Sequence, residues 1–481
     1  MALTKRDFLK NLGLGAVFLG TNGLRADEYI PTKNKLPEGS VGDPDNVWFG
    51  QRIFPLPHTI EDGPSCRIEN GKIIRPAAEI PLFHKTDVVV VGGGPAGFSA
   101  ALASARAGAK TTLVESTGSL GGLFTNGMVL IMLCTSLREE SGRYRLVTHG
   151  ICEEFMTRAE KELGANAVTP RGVSGRLHWQ PTIDPEGAKY LMDRMIEENQ
   201  IDLFFHASGV DVIQNAAGVV QGIVFQSKQG PQAILAKQVV DCTGDGDLFF
   251  AAGSDFRQIT HGIGSVVRYG NLDRVTATAL PRIQDRDRDP EGLDSWWPMR
   301  GNEANPSTGW RGRLGPKGDG LSVRDLTCAE LNHRKFAWEH VRKLQKTPGW
   351  EQVYLLNTAS MIGPRATRLL TSEQVYTRQA IAEKIGVHET IGWFGDDGVH
   401  PGFPVGYRAL VPTKADNILA AGRCLGAPDT VDTFRLICPC FVTGQAAGVA
   451  AALSAQKGCS PRQLNYVLLK KELEKQNVYL G

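Results

Sequence analysis

Residues 87–115 read DVVVVGGGPAGFSAALASARAGAKTTLVE, and the reading of this stretch decides the fold. Four consecutive valines, Val88–Val91, bounded by glycine, fit a strand buried on both faces of a parallel sheet. Gly92, Gly94 and Gly97 follow as G-x-G-x-x-G, with Pro95 and Ala96 between the last two. In this spacing the first glycine permits a tight turn, the second lets backbone approach a pyrophosphate, and the third lets helix pack close to strand. Phe98–Gly108 is alanine-rich and reads as a helix stopped by Gly108. Thr111–Val114 reads as a second strand ending at Glu115, 18 residues past Gly97 and close to the ~20 expected for an acid that accepts from a ribose hydroxyl. Strand, helix and acid in register distinguish this motif from a glycine-rich turn without a ligand.

The chain around it has 481 residues, which points to two intertwined domains. Hydrophobic content of 42% and charged content of 22% are ordinary for a globular protein. A formal net charge of +2 sets up no strong field, so no nucleic-acid partner is expected. The nine cysteines include no C-x-x-C, so neither an iron–sulfur cluster nor a structural zinc is expected, and no metal ligands are assigned. Cys438-Pro439-Cys440 reads as two small buried residues rather than a strained disulfide.

Residues 1–26 resemble an export signal. Thr4-Lys5-Arg6-Asp7-Phe8-Leu9-Lys10 is similar to the twin-arginine motif with Lys5 in place of the first arginine, and Leu12–Gly20 is too short and too weakly apolar to span a membrane. A periplasmic or exported protein with no membrane span in the mature chain is expected, a cytoplasmic one being the alternative. Residues 27–83 are rich in proline, glycine and charge and read as an extended segment.

Past Glu115, Ser119-Leu120-Gly121-Gly122 is a loop whose backbone can approach a ring system. Gly150–Leu163 has helical spacing, and Asp184 caps a second helix with Pro185 at its first position, running through Met195. Ile201–His206 reads as a strand and Val210–Ser227 as a hairpin around Asn215–Gly218. Ala236–Val240 is another strand, leading into DCTGDGD at 241–247. Residues 255–412 hold six of the eight tryptophans and read as the substrate-facing part, with an amphipathic helix over Asp325–Lys346. Asp416–Arg423 runs as a strand into a glycine. Thr443–Gly448 then opens a small-residue helix whose bare start suits an electron-rich ligand atom.

Three separated segments, VVVVGGGPAG with Glu115, DCTGDGD, and NILAAGRCLGAPDTVDTFRLICPCFVTGQAAG at 417–448, together resemble the glutathione-reductase-like FAD-binding fold. More closely they resemble the bacterial FAD-dependent oxidoreductase family, related to fumarate reductase flavoproteins, from about residue 80 to the end. The resemblance implies an α/β protein. A Rossmann-like FAD-binding domain (84–148 with 186–254 and 413–481) has a central parallel sheet, helices and a small antiparallel sheet. An α+β substrate domain (149–185 with 255–412) is inserted in it. It also implies noncovalent FAD. Gly92, Gly94, Pro95, Ala96, Gly97 and Glu115 would hold the ADP half, and Gly121 and Gly122 would lie beside the flavin. Asp245 would sit in the returning segment. Gly422 and a helix beginning near Gln445 and Ala446 would close over the ribityl chain and pyrimidine edge.

Further family-like signals are Ile362-Gly363-Pro364-Arg365, Arg368, Tyr407-Arg408, Phe434-Arg435 and His400, although the acid ahead of His400 is displaced by one residue. A flavin oxidising a C–H bond needs a base, and His400 is assigned that task because an imidazole titrates near neutral pH; a loop histidine before Pro401 is the other reading. Tyr407 is assigned proton donation or acceptance, or a place in the core. Arg365, Arg408 and Arg435 are expected to hold a carboxylate, a hydroxyl-rich substrate or the flavin's anionic edge, unless they pair structural acids. His149, His178 and Trp296-Trp297-Pro298 are further candidates. No second nucleotide fingerprint appears between residues 260 and 410, so electrons are expected to pass to a quinone, a cytochrome or oxygen. The expected reaction is hydride transfer between a small polar substrate, a sugar or hydroxy acid, and flavin N5. The alternatives are a fumarate-reductase-like C=C reductase and a non-catalytic flavoprotein electron-transfer subunit; the nucleotide motif alone also allows a monooxygenase or halogenase.

Overall fold

Val88–Val91 are buried in the strand Leu82–Val91 (β1) of the computed structural model, which describes residues 66–169, 180–276, 304–385, 387–396 and 401–481. The chain continues through helix Pro95–Arg106 (α1), strand Thr111–Val114 (β2), helices Ile151–Glu162 (α2) and Pro185–Glu198 (α3), and strand Asp202–Phe204 (β3). The hairpin Ser208–Gln214 (β4) and Val220–Ser227 (β5) leads into the long strand Gly230–Asp241 (β6). Strands His261–Gly270 (β7) and Thr308–Arg313 (β8), helix Val323–Leu344 (α4), strands Tyr354–Thr358 (β9) and Ile418–Ala420 (β10), and helix Ile437–Lys457 (α5) complete the framework.

The main sheet runs β3–β2–β1–β6–β5–β4, with β10 also paired to β6. β1, β2, β3 and β10 are joined in parallel through β6 and one another, whereas Gly230–Leu235 of β6 pairs antiparallel with β5. β6 is therefore longer than the expected Ala236–Val240. Gly230-Pro231 has the local look of a turn, and the β5 ladder supplies the pairing that extends the strand. β2 has the expected bounds, and Asp184 caps α3 as read, its Oδ1 accepting from the Glu186 and Gly187 amides at 3.0 and 3.1 Å.

α1 lies against α5 almost backbone to backbone. A Cβ on Gly444 would be 2.1 Å from the Ala96 carbonyl oxygen, and one on Gly448 would be 2.0 Å from that of Ala100. The expected helix start near Thr443 is corrected here: α5 begins at Ile437, after Leu436 as its N-cap. Pro439 sits in the first turn, where its missing N–H breaks no helical bond, and the small residues serve contact with α1. Gln445 and Ala446 consequently lie in the third turn, buried. α5 is the one helix among the described residues long and apolar enough to cross a membrane, and 94% of its apolar window is buried inside the protein.

A second sheet is built on β7, which pairs antiparallel with β8, Lys317–Gly318, β9 and Gly363–Pro364. α4 covers it through a separate small core including Tyr269, Ala337, Leu344 and Trp350. The architecture is thus α/β, as expected, with a central sheet that is parallel except for the antiparallel β4–β5 hairpin on β6, and a separate antiparallel sheet built on β7. Residues 80–481 make one compact unit, and residues 1–79 a separate one whose described part is the hairpin Arg67–Glu69 with Lys72–Ile74. The export-like segment, His178, Trp296-Trp297-Pro298 and His400 lie outside the described residues.

Candidate functional site

The three fingerprint glycines have different surroundings. Gly92, at φ +97°, could carry no side chain, because a Cβ would lie 2.3 Å from the Cys242 carbonyl oxygen; a Cβ on Gly97 would lie 1.7 Å from that of Gly92. Around Gly94 a Cβ would meet nothing within 4 Å. Gly94 is the N-cap of α1, it makes no side-chain cap bond, and Pro95 occupies the first helical position. The Ala96 and Gly97 amides at this helix start have no acceptor within the helix, and with the helix dipole they favour an anion in the open space beside Gly94.

Glu115 borders this space. Its Oε2 accepts from the Gly93 amide at 2.6 Å, and its Oε1 accepts from the Thr117 amide at 2.7 Å and Ser116 Oγ at 3.0 Å. A carboxylate has about four acceptor positions, so one remains for a hydroxyl. From the other side, the Gly121 amide donates to the Gly93 carbonyl at 2.8 Å, and a Cβ on Gly122 would be 3.1 Å from the Gly94 Cα. Gly422 closes the ring, its absent side chain being 2.9 Å from the Ala96 Cβ.

In the DCTGDGD turn two of the three acids have distinct hydrogen-bonding tasks. Asp241, passed over in the sequence reading, is fully buried and organises the turn. Its Oδ1 accepts from the Thr243 amide and hydroxyl and its Oδ2 from the Leu248 and Phe249 amides. Burial raises its carboxyl above the ordinary value against the pull of those bonds. Its signal was an acid ending a strand just ahead of two glycines. Asp245 accepts from Thr367 Oγ1 at 2.6 Å and pairs with Arg423 Nη2 at 2.9 Å. Arg423 in turn donates to the Pro364 carbonyl at 2.9 Å.

The sequence profile of the family described as FAD dependent oxidoreductase matches residues 87–473. This chain belongs to the FAD-dependent oxidoreductase family. Over 169 residues the oxidoreductase is 52% identical to dihydrolipoyl dehydrogenase 2, mitochondrial, of Arabidopsis thaliana, covering 33% of this chain and 32% of that protein. It is 54% identical over 46 residues to dihydrolipoyl dehydrogenase of Trypanosoma brucei brucei (10% of each), and 50% over 165 residues to thiamine thiazole synthase of Metallosphaera sedula (34% and 55%). The chain thus spans from a tenth to about half of these relatives' lengths. Among solved structures, p-nitrophenol 4-monooxygenase PnpA from Pseudomonas putida matches with a TM-score of 0.43 at 13% identity, over 82% of this chain and 89% of that one.

The oxidoreductase's residues fit FAD. The open space at Gly94 at the start of α1 would take the pyrophosphate, and the remaining acceptor position of Glu115 would take a ribose hydroxyl. Gln445 is not at a helix start facing the cofactor, which corrects its expected role. Its Oε1 accepts from the Ile151 amide at 3.0 Å and its Nε2 donates to the Gln476 carbonyl at 3.3 Å, fastening α2 to α5. Ala446 is fully buried beside it.

Beyond the glycine loop the structure assembles a charged cluster. The Ser360 and Met361 amides donate to the Asn126 carbonyl at 3.0 and 3.2 Å, and a Cβ on Gly363 would be 3.6 Å from the Leu123 side chain, so Arg365 emerges beside that loop. Asp432 Oδ1 accepts from Arg365 Nη1 at 3.3 Å and from Arg435 Nε and Nη2 at 3.0 and 2.8 Å. His261 Nε2 is 3.9 Å from Asp432 Oδ2. Leu436, between Arg435 and the first turn of α5, is eight residues from Gly444. The cluster therefore lies about 12 Å along α5 from its crossing with α1.

Burial, reinforced by Arg435, pushes the Arg365 guanidinium down to about 10. Burial alone would raise the Asp432 carboxyl, yet Arg435, Arg365 and His261 hold it below its ordinary value. Burial lowers the His261 imidazole; Asp432 opposes this, and Arg365 and Arg435 add to it. Nδ1 accepts a hydrogen bond from the Gly262 amide at 2.7 Å, which requires the neutral form of the ring and puts its hydrogen on Nε2. His261 was not singled out in the sequence, where nothing local marks it.

Tyr407 is corrected from proton carrier to core residue. It is fully buried, its hydroxyl donates to the Pro461 carbonyl at 2.8 Å, and burial pushes the phenol far above its ordinary value. Arg408 is likewise structural, pairing with Glu389 at 3.0 Å and Glu373 at 3.2 Å. Arg368 pairs with Asp247 at 2.9 Å. Both ring nitrogens of His149 are engaged, by Glu153 at 2.7 Å and the Leu146 carbonyl at 3.1 Å.

Proposed function

We propose that the protein is an exported FAD-dependent oxidoreductase that transfers a hydride between a small polar substrate, a hydroxy acid or sugar, and flavin N5. The observation that carries this reading is the convergence of Arg365 and Arg435 on one carboxylate beside the glycine loop. FAD when bound supplies the hydride chemistry. The chain's own residues bind and orient: the α1 start and Glu115 hold the nucleotide half, and Arg365 and Arg435 position a polar substrate. The proton that accompanies the hydride goes to His400. The Lys-Arg start at Lys5-Arg6 supports export after folding around the cofactor, and the single nucleotide fingerprint supports a quinone, a cytochrome or oxygen as electron acceptor.

A second reading, reduction of a C=C bond with an arginine as proton donor, is favoured by one observation. Arg365 has its guanidinium lowered to about 10, which makes it a better acid than an exposed arginine. Anaerobic spectroscopy separates the two. Bleaching of the flavin by a hydroxy acid or sugar supports the first reading, and reoxidation of reduced flavin by an enoate supports the second. A flavin inert to both classes removes them both. His400→Gln should slow flavin reduction with FAD content retained; unchanged kinetics would exclude His400.

A further inference from the structure

We propose that Arg365, Arg435 and His261 form a binding site for a monocarboxylate, in which Asp432 occupies the anion position until a substrate carboxylate displaces it. The inference rests on the hydride-transfer reading only for its assignment of the cluster to the substrate. The site itself stands on four side chains from three separate segments.

Both guanidiniums converge on a single oxygen, Asp432 Oδ1, while Oδ2 has His261 at 3.9 Å. Of the four side chains Asp432 is the outermost, at 54% exposed, against 26% for Arg365, 19% for Arg435 and 26% for His261. It is therefore the group that can turn into water without exposing another. Were it to turn away alone, two half-buried guanidiniums would face each other unpaired, a costly arrangement. An incoming carboxylate removes that cost by offering the same acceptor oxygens, and the planar forks of two arginines suit it. The Nε2 hydrogen of His261 then has an oxygen to donate to, such as the hydroxyl next to the carboxylate.

Charge selects within this class. With His261 neutral, two arginines and one aspartate leave a formal +1 among the four side chains, and Lys317 acts on His261 from nearby. One carboxylate neutralises these four, whereas a second would stand against the displaced Asp432. A neutral sugar would leave the guanidiniums without a charged partner. Of the two substrate classes, the cluster favours the hydroxy acid.

The test measures binding to the FAD-loaded protein by calorimetry and by perturbation of the flavin spectrum, with lactate, glycolate and mandelate as monocarboxylate probes, malonate as dianion and glucose as neutral control. At least one monocarboxylate should bind, malonate about tenfold more weakly, and glucose not at all. Arg365→Gln and Arg435→Gln should each weaken monocarboxylate binding about tenfold, with flavin content and melting temperature checked in parallel. If either fails to fold, Arg435→Lys, which keeps the charge and loses the fork, should still cost about fivefold. Asp432→Asn should tighten monocarboxylate binding about fivefold, and malonate by more, because the resident competitor is gone. A purely structural role for Asp432 predicts the opposite sign. The proposal is overturned if none of the monocarboxylates binds, if Asp432→Asn weakens or leaves their binding unchanged, or if glucose competes. The expected binding pattern without flavin reduction by any of the three acids would sink the hydride-transfer reading and leave the site standing. Flavin reduction by a neutral sugar that ignores Arg365→Gln would do the reverse.

Discussion

A Cβ on Gly97 would lie 1.7 Å from the carbonyl oxygen of Gly92, so the turn and α1 meet with no room for a methyl group. Gly94, two residues past Gly92, has open space instead. Gly97→Ala should therefore lower stability by about 3 kcal/mol or prevent folding. Gly94→Val should leave the melting temperature of the cofactor-free protein within a few degrees while abolishing retention of FAD. Thermal unfolding and the flavin absorbance of purified protein separate the two, and equal thermal damage from both substitutions would contradict the assignment of Gly94 to the cofactor.

Tyr407→Phe removes a buried hydroxyl and leaves the Pro461 carbonyl without its donor. A loss of about 1–2 kcal/mol in chemical denaturation is expected. The rate of flavin reduction should stay within twofold; a drop of a hundredfold would restore Tyr407 to the chemistry.

Gln445→Leu takes away the acceptor for the Ile151 amide at the buried start of α2. The expected cost is about 2 kcal/mol of stability. The flavin spectrum and redox behaviour of the surviving folded protein should not change, in contrast to what a residue lining the flavin would show.

Asp193 provides a pH signature independent of the site. Burial, with Glu197 adding, raises its carboxyl to about 6 from the ordinary 3.8, Lys189 opposing, and its Oδ1 has no hydrogen-bond partner among the described residues. Between those two values the folded state binds more protons than the unfolded chain. Stability from this group is therefore present below about pH 4 and is lost as pH rises through about 6. Asp193→Asn should stabilise the protein by about 1–2 kcal/mol at pH 7.5, partial solvent access reducing the full effect, and by little at pH 4. Denaturation midpoints at the two pH values check this; equal gains at both would exclude it.

The β1–α1–β2 unit, the close helix–strand contact at Gly92 and Gly97, the Asp184-Pro185 helix start and the β4–β5 hairpin were legible in the sequence. Each is signalled within a few residues, by a cap, a turn or a run of valines, and so is legible without knowing what lies opposite. The start of α5 was not, because Leu436 makes no side-chain cap and because Gly444 and Gly448 look the same whether a ligand or a helix approaches them. Only the tertiary structure committed them to α1. It also decided that Tyr407 belongs to the core, and that Arg365, from the strand edge beside the glycine loop, meets Asp432, 67 residues on, with Arg435 and His261. A charged side chain's chemistry is set by its partner and its burial, and for this cluster those arise from packing between segments far apart in the chain.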